Sequence, residues 1–277
     1  MTLHRPESLD EALSLLGGGA VVLAGGTDVY PGLRDGAPPA SLVDLTRVAG
    51  LRGISLENGL WRIGAATTWT DVLRAELPAC FAGLKGAARE VGSVQIQNTG
   101  TVAGNICNAS PAADGVPALM ALDALVEVAG PDGARRVALE QFIRGPRSVD
   151  LRPGEIVSAV LVPEATGQGA FRKLGARKYL VISIAMVAAV VEVSGSAISR
   201  ARVSVGSCSP VALRLRGLEE ALTGATAAEV PGIVAGADLP GLTPIDDVRA
   251  SAAYRREAVR TLIARTITDA MEVRDVT

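Results

Sequence analysis

Two short stretches of this sequence carry backbone and side chains suited to holding a phosphorylated ligand. In the first, Leu23-Ala24-Gly25-Gly26-Thr27-Asp28-Val29, two adjacent glycines directly follow an apolar run. Without a Cβ, both can turn their N–H groups toward an anion. Thr27 adds a hydroxyl donor, and Asp28 can accept from a ribose hydroxyl or cap the next helix. The second stretch, residues 101–114, sets Thr101, Asn105, Asn108 and Ser110 around Gly104 and ends at Asp114. Its four small polar side chains can hydrogen-bond a sugar or pyrophosphate without adding net charge. Each stretch alone has a plain structural alternative: Gly-Gly after a strand also makes an ordinary turn, and Ser110 before Pro111 also makes a helix N-cap. Neither is G-x-G-x-x-G or a P-loop. Their occurrence together, in a chain lacking a conventional acid–base set, points to nucleotide recognition through backbone and hydroxyls.

The exclusions are as informative. His4 is the only histidine, which sets aside Ser-His-Asp or Cys-His hydrolysis and His-ligated zinc. Cys80, Cys107 and Cys208 form no C-x-x-C pair, so neither a protein-ligated iron–sulfur cluster nor a disulfide framework is expected, and a reducing compartment fits best. No side chain is nominated as catalytic and none as a metal ligand. Lys+Arg 27 against Asp+Glu 29 gives net −2, without the basic footprint of a nucleic-acid or anionic-membrane binder. The first residues lack an apolar signal core, and the longest apolar run, 180–191, is broken by Ser183 and falls short of the ~20 residues of a bilayer span. The chain is expected to be cytoplasmic, with no membrane insertion and no nucleic acid.

The elements that must position the two stretches follow from periodicity. With 277 residues, 48% hydrophobic, 31 Gly and 15 Pro, one large or two to three small domains are expected. Residues 8–16 read as a short amphipathic helix, 20–24 and 41–45 as strands, and 54–63 as a hairpin through Asn58-Gly59. Helices are expected over 68–77, 82–91 and 116–122. The polar run between Gly92 and Gly104 reads as an ordered loop without helical period. Hairpins are expected at 124–137 and, from 181–193 to 197–205, across Ser194-Gly195-Ser196, and a strand at 156–162. Residues 213–222 and 251–271 read as helices. Gly167-Gln168-Gly169 is the best domain boundary.

Residues 24–28, then Thr101-Val102-Ala103-Gly104-Asn105 and Ser110-Pro111-Ala112-Ala113-Asp114, together resemble the FAD-binding medium subunit of the molybdenum hydroxylases, the family of xanthine dehydrogenase and carbon monoxide dehydrogenase flavoprotein subunits. The likeness extends over nearly the whole chain. Phe171-Arg172-Lys173-Leu174-Gly175-Ala176-Arg177-Lys178 is similar to the basic stretch opening the family's C-terminal domain, and 247–256 to its final-helix motif.

The resemblance implies an α+β protein: a two-subdomain FAD-binding fold of the vanillyl-alcohol-oxidase type, at 1–55 and 56–166, followed by a C-terminal α+β domain at 167–277. It implies an oxidoreductase subunit carrying non-covalent FAD in a cytoplasmic heterotrimer. A molybdopterin-binding large subunit would oxidise substrate, a [2Fe–2S] small subunit would relay electrons, and NAD⁺ or another soluble acceptor would receive them. By motif, Ala24, Gly25, Gly26, Thr27 and Asp28 would hold the pyrophosphate through main-chain amides, with Leu23 and Val29 also at the cofactor site. Thr101, Gly104, Asn105, Asn108 and Ser110 would complete the nucleotide site, and Asp114 would bond ribityl or ribose hydroxyls. Val157 and Lys173 would line the isoalloxazine edge, with Arg172 competing for the second place and a solvated surface lysine the alternative for Lys173. Ala103 departs from the family's usual glycine; its methyl either crowds the closest backbone approach or is tolerated. Trp61 and Trp69 are read as core residues, with an aromatic platform the alternative. Residues 249–265 are read as a solvated helix face, with a subunit contact the alternative. A self-sufficient FAD oxidoreductase and a non-redox nucleotide-binding assembly module stay open as rival readings.

Overall fold

A computed structural model describes residues 1–33 and 38–272. The chain forms two compact units, and both are discontinuous in sequence. The first comprises Met1–Ala75, Ser93–Ala109 and Ala124–Glu164; the second comprises Glu76–Gly92, Ser110–Asp123 and Ala165–Thr277.

The first unit contains a three-stranded parallel sheet in the order Thr2–His4, Ser41–Asp44, Val21–Leu23. The helix Leu9–Leu16 starts at Ser8, whose hydroxyl accepts from Glu11 N at 3.2 Å, the usual way of satisfying an orphan N–H at a helix start. Its Ala12 and Leu16 pack with Val43, Leu45, Val48 and Leu51. In parallel sheets ligands collect beyond the carboxyl ends of the strands, and the strand Val21–Leu23 runs there directly into the glycine turn.

An antiparallel sheet in the same unit has the order Ile54–Glu57, Leu60–Gly64, Ile156–Pro163, Leu125–Gly130, Gly133–Ala138. Its central strand is buried almost throughout, which explains the unbroken apolar run there. The pairing slips between Val157 and Ala159, a bulge that re-aims the strand locally. Asn58 and Gly59, at φ 52° and 76°, make the hairpin turn that their types predict.

Arg135 ties the end of this sheet down. It bonds Glu155 at 2.7 Å and Asp150 at 2.8 Å, and the Arg135 hydrogen bond holds the Glu155 carboxyl down at about 2, from 4.5. Because the folded value is depressed, this stability is complete above the unfolded value and is lost as pH falls toward the folded one. Arg135→Met should therefore lower the thermal midpoint at pH 7, and the gap to wild type should narrow below about pH 4.5 and close as pH approaches about 2. A gap constant with pH would show that the pair contributes nothing.

The polar run between Gly92 and Gly104 is not a loop. It holds two short helices, Val94–Thr99 and Val102–Asn108. Each is too short to show a period. What starts them is capping: Ser93 Oγ accepts from Ile96 N at 3.4 Å, and Thr101 Oγ1 accepts from Gly104 N at 3.0 Å.

The second unit is built on an antiparallel sheet in the order Gln168–Leu174, Ala185–Ser194, Ala197–Gly206, Leu213–Arg214. The helices Ala82–Glu90, Gly115–Ala121 and Ala252–Met271 pack on its strands. The core runs through Val187, Ala189, Val203 and Val205 to Val259, Ile263 and Ile267.

Three expectations are corrected here. Residues 213–222 are a short strand followed by the helix Arg216–Ala221, because Arg214 is recruited to Asp123 and Glu219. The strand expected from 181 begins only at Ala185, leaving Leu180 and Ile182 exposed. The final helix is not solvated along its whole charged face. Arg255 is only 2% exposed and donates to Ile184 O, Ser207 O and Asp247 Oδ1. Among the described residues no helix is long and apolar enough to cross a membrane.

Candidate nucleotide-binding site

Within the first unit the two glycine-bearing stretches meet. A Cβ built on Gly25 would lie 2.0 Å from Thr99 O and 2.9 Å from Gly100 Cα, so the turn and the segment before Thr101 are in backbone contact that only glycine permits. Gly26, at φ +70°, would place a Cβ 2.4 Å from the Tyr30 ring. Leu23 anchors the turn in the core at 2% exposure, and Tyr30 N closes it onto Gly26 O at 3.0 Å. Among the described residues, the N–H groups of Gly25, Gly26 and Thr27 donate to no protein acceptor. Buried or half-buried amides without partners are costly unless a ligand or water takes them.

Asp28 does not cap the helix Val29–Gly32 that follows it. Its carboxylate instead accepts from Asn108 Nδ2 at 2.8 Å, eighty residues away in sequence. Asn108 in turn accepts from Arg147 Nη1, at its main-chain oxygen (3.1 Å) and at Oδ1. The segment 99–102 is pinned by Trp69 N to Gly100 O at 3.2 Å and Val102 N to Thr67 O at 3.0 Å.

Gly104 receives the Thr101 cap, and a Cβ on it would sit 2.8 Å from that hydroxyl. Ala103 is buried at 4% exposure inside the helix Val102–Asn108, so its methyl is accommodated and Gly104 is the glycine that the geometry requires. Asn105 Oδ1 is buried with no hydrogen-bond partner. It is an acceptor aimed at a donor the protein does not supply. Free turn amides for an anion, together with an orphaned acceptor for a hydroxyl or amine, fit an adenine dinucleotide. Val157 lies in the central strand at the bulge, 4% exposed.

The second unit holds Ser110, Asp114 and Lys173. Ser110 Oγ accepts from Ala112 N at 3.2 Å, a local turn and not a helix cap. Asp114 Oδ2 meets Lys173 Nζ at 2.7 Å, with side-chain exposures of 8% and 5%. Asp114 Oδ1 accepts from Ser183 Oγ at 2.5 Å, and Lys173 also donates to Glu90 O at 3.3 Å. Lys173 is therefore no solvated surface lysine. Burial pushes the Asp114 carboxyl above the ordinary range, against the opposing pull of the Lys173 charge. Arg172 points elsewhere, to Asp269 at 2.6 Å.

Sequence reasoning missed Arg147, Ser183 and Tyr30. The signal for Arg147 was the Gly145-Pro146 turn before it; for Ser183 it was a lone hydroxyl breaking an apolar run. Trp69, 1% exposed, packs in the core. Burial drives the thiol of Cys107 up to about 12 and that of Cys208 up to about 11, so neither is a thiolate nucleophile. Among the described residues no cluster of three or more His, Cys, Asp or Glu is arranged to hold a metal ion.

Comparison with known proteins places this geometry. Residues 1–165 match the family described as the FAD binding domain in molybdopterin dehydrogenase, and residues 170–270 match the CO dehydrogenase flavoprotein C-terminal domain. The chain is 32% identical to the carbon monoxide dehydrogenase medium chain of Hydrogenophaga pseudoflava, over 95% of this chain and 94% of the other. It is also 32% identical to the xanthine dehydrogenase FAD-binding subunit of Escherichia coli O157:H7, over 97% and 95%. A chain of the reconstituted CO dehydrogenase from Oligotropha carboxidovorans superimposes with a TM-score of 0.89 at 29% identity, covering 98% of this chain and 97% of that one. With both halves matched in order and the glycine turn and orphaned Asn105 inside the matched FAD domain, the chain belongs to the family of FAD-binding flavoprotein subunits of the molybdenum-containing oxidoreductases.

Proposed function

We propose that this chain is the FAD-carrying electron-transfer subunit of a cytoplasmic three-subunit molybdenum hydroxylase, taking electrons from a [2Fe–2S] partner and delivering them to NAD⁺ or another soluble acceptor. The observation that carries the reading is the turn at 24–28, with Gly25 seated against Thr99 and the amides of Gly25, Gly26 and Thr27 free among the described residues, together with the partnerless Asn105 Oδ1 in the same unit. Bound FAD supplies the redox chemistry. The protein's part is to bind, orient and shield.

The amides of Ala24–Asp28 receive the diphosphate, Leu23 and Val29 flank them at the cofactor site, and Thr101, Gly104, Asn105, Asn108 and Ser110 complete the nucleotide site. Asp114 accepts from ribityl or ribose hydroxyls, while Val157 and Lys173 line the isoalloxazine edge. The break between the two family matches, at 165–170, supports a C-terminal domain from 167. The parallel sheet, built from strands within residues 2–44, supports a first subdomain inside 1–55, and the antiparallel sheet, which starts at Ile54, supports a second one, proposed at 56–166. No acid, base or nucleophile is assigned: His4 lies on an edge strand of the parallel sheet, and the thiols are protonated.

The test is to purify the full chain alone and together with the large and small subunits encoded beside it, record the visible spectrum, and identify the released flavin. One FAD per chain, and bleaching of its band when substrate is added only to the three-subunit assembly, is the expected result. A chain that stays colourless after incubation with FAD would overturn the proposal. Substrate turnover by the isolated chain would instead support a self-sufficient oxidoreductase. Bleaching by NADH is expected if NAD⁺ is the acceptor.

A further inference from the structure

Neither 23–29 nor 99–108 contains a lysine or arginine, and the turn contributes an acid, Asp28. A diphosphate brought to these amides meets a carboxylate with no cation within either stretch to offset it. Among the described residues, Arg147, from elsewhere in the first unit, brings a cation to Asn108 at the end of the second stretch. Its Nη1 donates to Asn108 O at 3.1 Å and to Asn108 Oδ1, and the Asn108 amide passes the contact on to Asp28 at 2.8 Å. An amide with its oxygen on a guanidinium and its nitrogen on a carboxylate has one orientation only.

The backbone around Arg147 is unusual too. Arg147 sits at φ +59° and Ala109, next to Asn108, at φ +45°. The two are joined by Arg147 N to Ala109 O at 2.9 Å. Left-handed conformations are uncommon for residues with a Cβ and persist where surrounding structure enforces them. Arg147 is exposed, and among the described residues its Nε and Nη2 donate to no acceptor.

We infer that Arg147 is a positioning residue of the dinucleotide site: it fixes Asn108, and through it Asp28, in the orientation the glycine turn needs, and supplies the positive charge that offsets Asp28 beside the diphosphate. This rests on the FAD reading above.

The experiment strips flavin from the full chain and titrates FAD back, following flavin fluorescence at low and high salt, for wild type, Arg147→Met, Arg147→Lys, Asn108→Ala and the Asn108→Ala/Arg147→Met double variant. Arg147→Met should raise the Kd of FAD about tenfold or more, as loss of a charge-assisted contact does, and should flatten its salt dependence. Arg147→Lys should restore the salt dependence and recover only part of the affinity, since an ammonium lacks the planar fork. The double variant should bind no more weakly than the weaker single, because one contact feeds the other.

A Kd for Arg147→Met within about twofold of wild type, or full additivity in the double variant, would sink the inference. So would a loss of affinity matched by an equal loss of apo-chain thermal stability at unchanged salt dependence, which is what a simple helix C-cap would give. If Arg147→Met fails to fold, Arg147→Gln and the Lys variant carry the same comparison. Wild-type chain that binds no FAD defeats the functional reading itself; wild-type binding with an indifferent Arg147 defeats only this step.

Discussion

Gly25→Ala should strip FAD from the chain while leaving it folded. The added methyl would meet Thr99 O at 2.0 Å, Thr99 C at 2.6 Å and Gly100 Cα at 2.9 Å. All three are backbone atoms, so no side chain can swing aside. The turn must instead move off the segment leading into Thr101, displacing its free amides and carrying Asp28 away from Asn108. Forced overpacking of this kind costs about 1–3 kcal/mol, which corresponds to a roughly 10- to 100-fold rise in the Kd of FAD. Fluorescence titration of the stripped chain measures it. Gly232→Ala is the control: this glycine lies in the helix Val230–Gly236 with open space where a Cβ would go. There alanine should raise stability by about 0.4–1 kcal/mol with no change in FAD affinity. Wild-type affinity in Gly25→Ala would mean that contact between the two stretches is irrelevant to binding.

The second large effect lies in the Asp114–Lys173 pair. Both side chains are almost wholly buried, so either single truncation leaves a charge in a poorly solvating site. Lys173→Met and Asp114→Leu should each destabilise the chain by about 3–5 kcal/mol, lowering the thermal midpoint by roughly 10 °C. The double variant, with neither charge, should recover much of that loss. Recovery is the discriminating result, since a pair that acted only through packing would give additive losses.

The pH dependence has a definite sign. Burial raises the Asp114 carboxyl even with Lys173 beside it. A carboxyl raised on folding favours the folded state at low pH, and that advantage is lost as pH rises through the folded value. Lys173→Met removes the opposing charge and enlarges the rise. Its midpoint should therefore fall more steeply than wild type as pH rises above the ordinary carboxylate range, and a parallel pH profile would contradict the assignment.

Local chemistry was legible in the sequence. Gly25-Gly26 after a strand, Thr101 ahead of Gly104, and Asn58-Gly59 each act on their immediate neighbours, and their residue types fixed the conformation found. The likeness to a known family carried the cofactor, which spacing alone left open beside other nucleotide readings. Contacts made by topology were not legible. Asp28 looks like a helix cap until Asn108 arrives from eighty residues on. Lys173, read at the isoalloxazine edge with a solvated lysine as the alternative, gives no hint in the sequence of its buried pairing with Asp114. Arg255 on a charged helix looks solvated, yet it ends among the main-chain oxygens of Ile184 and Ser207. Helices such as Val94–Thr99 escaped because one or two turns cannot display a period of 3.6 residues. Their start signals were present, but Thr101 was read only as a ligand-binding hydroxyl and Ser93 only as part of a polar loop.

The interleaving of the chain has a consequence for its biosynthesis. The helices Ala82–Glu90 and Gly115–Ala121 leave the ribosome long before the strands Gln168–Leu174 and Ala185–Ser194 on which they pack. Until those strands emerge, the two helices have only each other to pack on and the faces that will meet the sheet stay uncovered, a state prone to aggregation that holdase chaperones shield. Splitting the gene at the junction between the two family matches would yield a sticky amino-terminal fragment, rescued only when the carboxyl-terminal piece is made in the same cell.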